Sequence, residues 1–236
     1  MVKGVLLCGG TGTRLFPFTK AVNKHLIPIG RKCMVEYPLQ TLLTAGITDI
    51  LVVTGGDHLG SFLEYLGSGK SFGCNITYRV QDGPSGIADA IKYAEDFVKP
   101  YDKFVVVLGD NYIEEDITPF VNRWIGLDGA MCLVKKDDRW KSFGVAEINN
   151  EKIVKIFEKP TTFVSDSVVI GCYMLDKTCF DMISTLKPSG RGELEITDVL
   201  NKYIEDGKLY YSKLTKHWTD MGTHESREGL EKYLKP

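Results

Sequence analysis

Short runs of apolar residues that stop at glycine, with amphipathic stretches between them, constrain this chain more than any other feature. Runs of strand length occupy residues 2–8, 50–53, 76–80 and 104–108, and three of them end in Gly9-Gly10, Thr54-Gly55-Gly56 and Gly109-Asp110-Asn111. Between them, 35–45 carries helical spacing (Val35, Leu39, Leu42, Leu43) with Gly46 as a stop, 58–66 reads as helix, and 86–98 places Ile87, Ala90, Ile91, Ala94 and Phe97 on one face. The first 110 or so residues therefore read strand–helix–strand–helix–strand–helix–strand. That alternation predicts an α/β fold with a mostly parallel central sheet and helices on both faces. Ligands in such sheets bind beyond the carboxyl ends of the strands. The two loops of unusual composition, 9–17 and 109–112, fall there.

The second half is richer in strands, expected over 130–134, 143–148, 152–157 and 168–175, with a hairpin turn in 147–151. Helices are expected over 176–186, 196–205 and 223–234. With 236 residues, 43 % of them apolar, the chain can bury a full core as one unit. A net charge of −2 gives no drive toward nucleic acid or an anionic membrane. No apolar run approaches the roughly 20 residues that span a bilayer, and the run before Gly9 is too short for a signal-peptide core, so a cytoplasmic protein is expected. The six cysteines include no CxxC pair and read as buried, reduced thiols. His224-Glu225 opens like a zinc-binding HExxH, but Glu228 stands where the second histidine belongs.

Four constellations carry chemistry. In Gly9-Gly10-Thr11-Gly12-Thr13-Arg14, glycines directly after a buried strand let backbone N–H groups approach phosphate oxygens, and Arg14 adds charge. It is not a dinucleotide fingerprint, because Leu15 stands where the third glycine is needed. Nor is there a Walker loop: Gly67-Ser68-Gly69-Lys70-Ser71 lacks the leading glycine, which is Glu64, and reads as a helix-to-strand turn. Asp110, at the end of a core strand, suits Mg²⁺ beside substrate phosphates, or a plain turn. Trp218-Thr219-Asp220-Met221-Gly222-Thr223 offers a second carboxylate, or simply the cap of the last helix. In Glu158-Lys159-Pro160 the lysine can neutralise a phosphate. Gly190-Arg191-Gly192-Glu193-Leu194-Glu195 reads as a solvated connection between helices.

Taken together, these segments resemble the sugar nucleotidyltransferases. Leu7–Leu15 matches their signature loop, and Asn23-Lys24-His25-Leu26-Ile27-Pro28 follows at the family's spacing. Gln81-Asp82-Gly83, Leu108–Asn111, Phe143-Gly144-Val145, Glu158-Lys159-Pro160, Arg191–Asp198 and Trp218–His224 follow in the family's order. Order and spacing look like those of the glucose-1-phosphate thymidylyltransferases over nearly the whole chain. The form is short, ending about where longer relatives add a C-terminal segment that helps form a regulatory site.

The resemblance implies a Rossmann-like, GT-A-like nucleotidyltransferase fold with a strand-rich, sugar-binding second half. It implies a single domain over 1–236, with 1–112 mainly nucleotide-binding and 113–236 mainly sugar-phosphate-binding and closing helices. The substrates would be dTTP and glucose-1-phosphate, the cofactor Mg²⁺, and the assembly a homo-oligomer, dimer or tetramer. By the same resemblance Gly9, Gly10, Thr11, Gly12, Thr13 and Arg14 hold the triphosphate, and Lys24 contacts phosphate at the reaction centre. Gln81 and Gly86 read the pyrimidine edge. Asp110 and Asp220 hold the metal. Lys159 grips the sugar phosphate, while Asn111, Gly144, Glu158 and Val169 line the hexose pocket.

Departures from the pattern are Cys8 for a usual alanine, Met221 beside Asp220, Tyr112, and a shifted run at 137–142, to which no role is carried. Three rivals stand beside this reading. One is the same chemistry with UTP or another sugar. Another is a GT-A glycosyltransferase, which Asp110-Asn111-Tyr112 fits poorly for want of a DxD. The third is a sensor without activity, which would be expected to lose Arg14, Lys24, Asp110 or Asp220.

Overall fold

The computed structural model of the chain describes residues 2–99 and 102–235. Its elements are β1 (Lys3–Cys8), β2 (Pro28–Ile29), β3 (Lys32–Cys33), α1 (Glu36–Thr44), β4 (Asp49–Gly55), α2 (Leu59–Leu66), β5 (Asn75–Gln81), α3 (Ile87–Lys92) and α4 (Glu95–Val98). Then follow β6 (Lys103–Leu108), β7 (Asn111–Ile113), α5 (Thr118–Ile125), β8 (Ala130–Lys136), β9 (Gly144–Asn149) and β10 (Lys152–Glu158). The chain closes with β11 (Ser167–Asp176), α6 (Thr178–Ser184), α7 (Ile196–Glu205), β12 (Leu209–Lys213), β13 (Trp218–Asp220) and α8 (His224–Tyr233).

One large sheet runs β10-β9-β11-β6-β1-β4-β5, with β8 paired to β11 and β12 to β8. The β6-β1-β4-β5 half is parallel, as the strand–helix alternation requires. Every residue of β1 is buried, and its side chains alternate between two cores. Val5 and Leu7 join Ala90, Ile91, Val199, Leu200 and Tyr203 on the α3/α7 face. Leu6 and Cys8 join Leu39, Leu42, Phe62 and Trp124 on the α1/α2/α5 face. β11 joins this parallel half to an antiparallel one. Its first residues pair with β9 and its last with β6, and the register shifts between Val169 and Tyr173.

Several expectations change on the structure. The helix expected over 86–98 is two helices, because Ala94 bonds back to Ile91 in a tighter turn and α4 restarts from there. The helix expected from 176 begins at Thr178. Asp176 stays in β11, where its Oδ1 accepts from the Thr178 amide (3.0 Å) and the Tyr203 hydroxyl (2.7 Å). The 109–112 loop is half strand, since β7 starts at Asn111. The hairpin turn expected over 147–151 is shorter: 147–149 stay in β9, and Asn150 and Glu151 alone, at φ of 46° and 58°, form the left-handed pair of a tight turn. Gly67–Ser71 does join helix to strand, with the Ile76 amide donating to Ser68 O. Among the described residues no helix is long and apolar enough to cross a membrane.

Candidate active site

Beyond the carboxyl ends of β1, β5 and β6 lies a cleft of about 600 Å³. The register of the parallel strands sets its floor: Cys8 pairs with Thr54 and Gly55 with Gln81, so the chain leaves the sheet at one level on all of them. Gly9 and Gly10 line the cleft, together with Arg14 and Lys24. Gly10 takes φ +94° and lies against the end of the Lys24 side chain. Thr11, Gly12 and Thr13 do not line it. Gly12 instead turns the loop at φ +64°, its carbonyl accepting from the Leu15 amide and the Thr19 hydroxyl.

Lys24 Nζ sits 2.5 Å from Asp110 Oδ2, and both side chains are almost fully covered. Burial alone would raise the Asp110 carboxyl. The Lys24 ammonium, with hydrogen bonds from Lys24 and Asn111, overrides it and holds the group well below the usual carboxylate range. Next to it β7 and β13 form a two-stranded ribbon in which Asp220 faces Asn111, and this pairing brings the second carboxylate, 110 residues further along the sequence, to the first. Asp220 is pushed up by burial and by the charge of Asp110, against the Gly222 amide, Lys24 and Arg14. Gly222 packs closely here: a Cβ would stand 2.8 Å from Asp220 Oδ1 and 3.0 Å from an Arg14 nitrogen. Met221, a departure in the sequence, is fully buried with Leu15, Ile27 and Leu230, so it is a packing residue.

Asn111 lines the cleft but is engaged inward. Its Oδ1 accepts from the Gly171 amide (3.1 Å) and Trp218 Nε1 (2.8 Å), and its Nδ2 donates to Asp110 Oδ1 (3.2 Å). His25 is also buried in this wall, with Nδ1 and its own amide both on Asn23 Oδ1 at 2.9 Å. Burial, then Lys24, pushes its pKa down to about 3, so the ring is neutral.

The far wall comes from the antiparallel strands. Glu158 of β10 pairs with Gly144 of β9, and Gly144 pairs with Val169 of β11. Three expected hexose-pocket residues therefore stand in one row across three strands. A Cβ on Gly144 would meet the Thr197 methyl at 2.8 Å. Lys159 follows at φ +43°, a conformation unusual for a side chain, with its amide on Phe143 O (3.0 Å) and its Nζ 3.6 Å from Glu158.

Of the segment at 190–195, read as a solvated connection, Gly190, Arg191 and Gly192 are exposed, whereas Glu193 lines the cleft and Leu194 and Glu195 are buried. Leu194 N donates to Ser85 O (2.8 Å), and Ala88 N donates to Leu194 O (3.1 Å). Gly86, at φ +103°, permits this approach, since a Cβ there would lie 2.4 Å from Leu194 O. Arg191 is held by Glu158 (3.1 Å), Glu195 (2.9 Å) and Glu193 (3.4 Å). Sequence reasoning also assigned nothing to Lys141, Ser142, Tyr173 and Thr197, which line the cleft. Thr197 lay inside the recognised 191–198 run and was the most findable of them.

A glycine-rich loop, a basic and acidic cluster at the strand ends, and an opposed polar wall share one cleft. The sequence profile described as nucleotidyl transferase matches residues 3–234. The chain belongs to the nucleotidyl transferase family. It is 42 % identical over 230 residues to the glucose-1-phosphate thymidylyltransferase of Neisseria meningitidis, covering 95 % of this chain and 80 % of that one. A Bacillus anthracis protein described as a glucose-1-phosphate thymidylyltransferase and crystallised with sucrose superposes with a TM-score of 0.94 at 45 % identity, over 100 % of this chain and 97 % of that one. A UDP-glucose pyrophosphorylase bound to UDP-glucose shares the fold, with a TM-score of 0.89 at 22 % identity, over 99 % and 98 % of the two chains.

Nucleotidyltransferases act on nucleotide and sugar-phosphate substrates and generally use a divalent metal. The residues here fit one. Buried Asp110 lies beside half-buried Asp220; burial and then the charge of Asp110 push the Asp220 carboxyl up, and a dication relieves that repulsion. Among the described residues no cluster of three or more metal-ligating side chains exists. A hard cation held by one or two carboxylates, with phosphate and water completing its shell, needs no more than this pair.

Proposed function

We propose that this nucleotidyltransferase joins dTTP and glucose-1-phosphate into dTDP-glucose and releases pyrophosphate. The observation that carries the reading is the opposition of two walls across one cleft. Gly9, Gly10, Arg14, Lys24, Gln81, Gly86, Asp110 and Asp220 lie on one side, and Gly144, Glu158, Lys159 and Val169 on the other. The relatives named for this reaction, matched over nearly the whole chain, support the same pair of substrates.

The sugar phosphate oxygen attacks the α-phosphorus of dTTP in line, and pyrophosphate leaves. Both reactants are anions, and the chain's contribution is to bring them together against their repulsion. The Gly9-Gly10 backbone and Arg14 hold the triphosphate, and Arg14 stabilises the charge that develops on pyrophosphate. Lys24 meets phosphate at the reaction centre, and Lys159 neutralises the sugar phosphate. Gln81 and Gly86 face the base. Gly144, Glu158 and Val169 hold the hexose, with Asn111 fixing the strand ends between the two substrates. Mg²⁺, held by Asp110 and Asp220, would supply further neutralisation of the phosphates. The attacking oxygen is already an anion, so no general base is needed, in keeping with the neutral, inward-bonded His25.

The two halves, 1–112 for nucleotide and 113–236 for sugar phosphate, act as one domain. The protein works in the cytoplasm, where nucleoside triphosphates are held. A dimer or tetramer completes the reading, and light scattering tests it. Pyrophosphate release with glucose-1-phosphate, measured separately with dTTP, UTP, CTP, GTP and ATP, tests the function. Release should require Mg²⁺ and be fastest with dTTP. Faster release with another nucleotide would reassign the base, and none with any of the five would sink the reading.

A further inference from the structure

Gln81 ends β5 almost completely buried, and its amide is held by two partners. Nε2 donates to Asp89 Oδ2 at 2.9 Å and to Gly86 O at 3.3 Å. A carboxylate and a backbone carbonyl only accept, so both hydrogens of the amide nitrogen are directed at them. A flipped amide would set its carbonyl against a carboxylate and lose both bonds. The carbonyl oxygen Oε1 therefore points the other way, toward Gly9, where it lies 3.2 Å from the place a Cβ would occupy. Gly9, Gly86 and Gln81 all line the cleft. Asp89 stands on the first turn of α3, and its other oxygen lies 3.8 Å from Lys92 Nζ.

We propose that Asp89 is a positioning residue for base selection: it locks the Gln81 amide so that the cleft presents a hydrogen-bond acceptor to the incoming base. This rests on the reading of the cleft as a pyrimidine nucleotide site. The consequence follows from the base edges. Thymine and uracil carry a ring N3–H between two carbonyls, which donates to Oε1. Cytosine carries an unprotonated N3 at the same place, and two lone pairs would face each other in a buried setting. Without Asp89 only the longer bond to Gly86 resists the flip, and a flipped Gln81 offers an N–H that suits cytosine.

The test compares dTTP, dUTP and dCTP in wild type, Asp89→Ala and Asp89→Asn, by pyrophosphate release with glucose-1-phosphate. dUTP and dCTP differ only in the groups at issue. In Asp89→Ala the dUTP-to-dCTP ratio of kcat/KM should fall by about tenfold or more. The change should lie in the nucleotide KM values, rising for dUTP and falling for dCTP, while the KM for glucose-1-phosphate holds. Asp89→Asn keeps an acceptor of the same shape but can also donate to a flipped amide, so its ratio should lie between the two. An unchanged ratio in either folded variant overturns the proposal, as does a loss of kcat/KM shared equally by both nucleotides. A wild type that does not prefer dTTP and dUTP to dCTP would instead bring down the pyrimidine reading itself, before any variant is made.

Discussion

Asp110 and Arg14 carry the clearest consequences of single side chains. Asp110 is buried, paired with Lys24 and set beside Asp220, so its charge balances the Lys24 ammonium. Asp110→Asn should lower turnover and flatten the dependence on magnesium. A magnesium titration of that variant overlaying the wild type would remove Asp110 from the ligand pair. Arg14 lies against Gly222 beside Asp220 and lines the cleft. Arg14→Ala should lose roughly 10²-fold in kcat, the range for removing one donor from a developing oxyanion. An unchanged kcat would show that Arg14 does not meet the transition state.

The strand β11 shows how one element serves both walls. Val169 stands in the row with Gly144 and Glu158, and two residues later Gly171 turns its amide to Asn111 Oδ1, where the register breaks. A Cβ on Gly171 would fall 2.6 Å from Asn111 Nδ2 and 2.7 Å from Leu108 Cγ. Gly171→Ala should therefore cost about 1–3 kcal/mol, as overpacking does. It should also lower activity, because Asn111 is bonded to Asp110. Urea unfolding beside an activity assay checks both, and an unmoved midpoint would mean the strand ends yield freely. What sequence made legible follows from range. The strand–helix alternation, the loop after β1 and Asp110 at the end of β6 are local patterns. The hexose row rested on resemblance, because a register across three strands is not written in any one of them. Gly190–Glu195 read as solvated for the same reason, since its docking on Ser85 and Ala88 spans about a hundred residues. By contrast α5, with Val121 and Trp124 buried on one face, and β12 had local signals that went unassigned.

Both cores and the cleft meet around β1 and β6, so the stability of the whole chain depends on groups that also shape the site. His25 is one. Folded, it takes no proton until about pH 3, whereas the unfolded chain takes one near pH 6.5. Between those values the unfolded state holds the extra proton. This contribution to stability is complete above pH 6.5 and is lost as pH falls, at up to about 1.4 kcal/mol per pH unit. Urea midpoints from pH 8 to pH 5 should drop less steeply for His25→Gln than for wild type, and parallel curves would contradict the assignment. Transfer of a nucleotidyl group to the sugar phosphate, as proposed, fixes where every oxygen of both substrates goes. Supplying glucose-1-phosphate with ¹⁸O throughout its phosphate, together with unlabelled dTTP, tests this most directly by mass spectrometry of the products. Nucleotidyl transfer breaks the α–β phosphate bond of dTTP, so the account predicts dTDP-glucose that keeps every labelled oxygen, together with unlabelled pyrophosphate. Inorganic phosphate that keeps all four labelled oxygens would mean that the bond between sugar carbon and oxygen breaks instead, as in glycosyl transfer, and would contradict it.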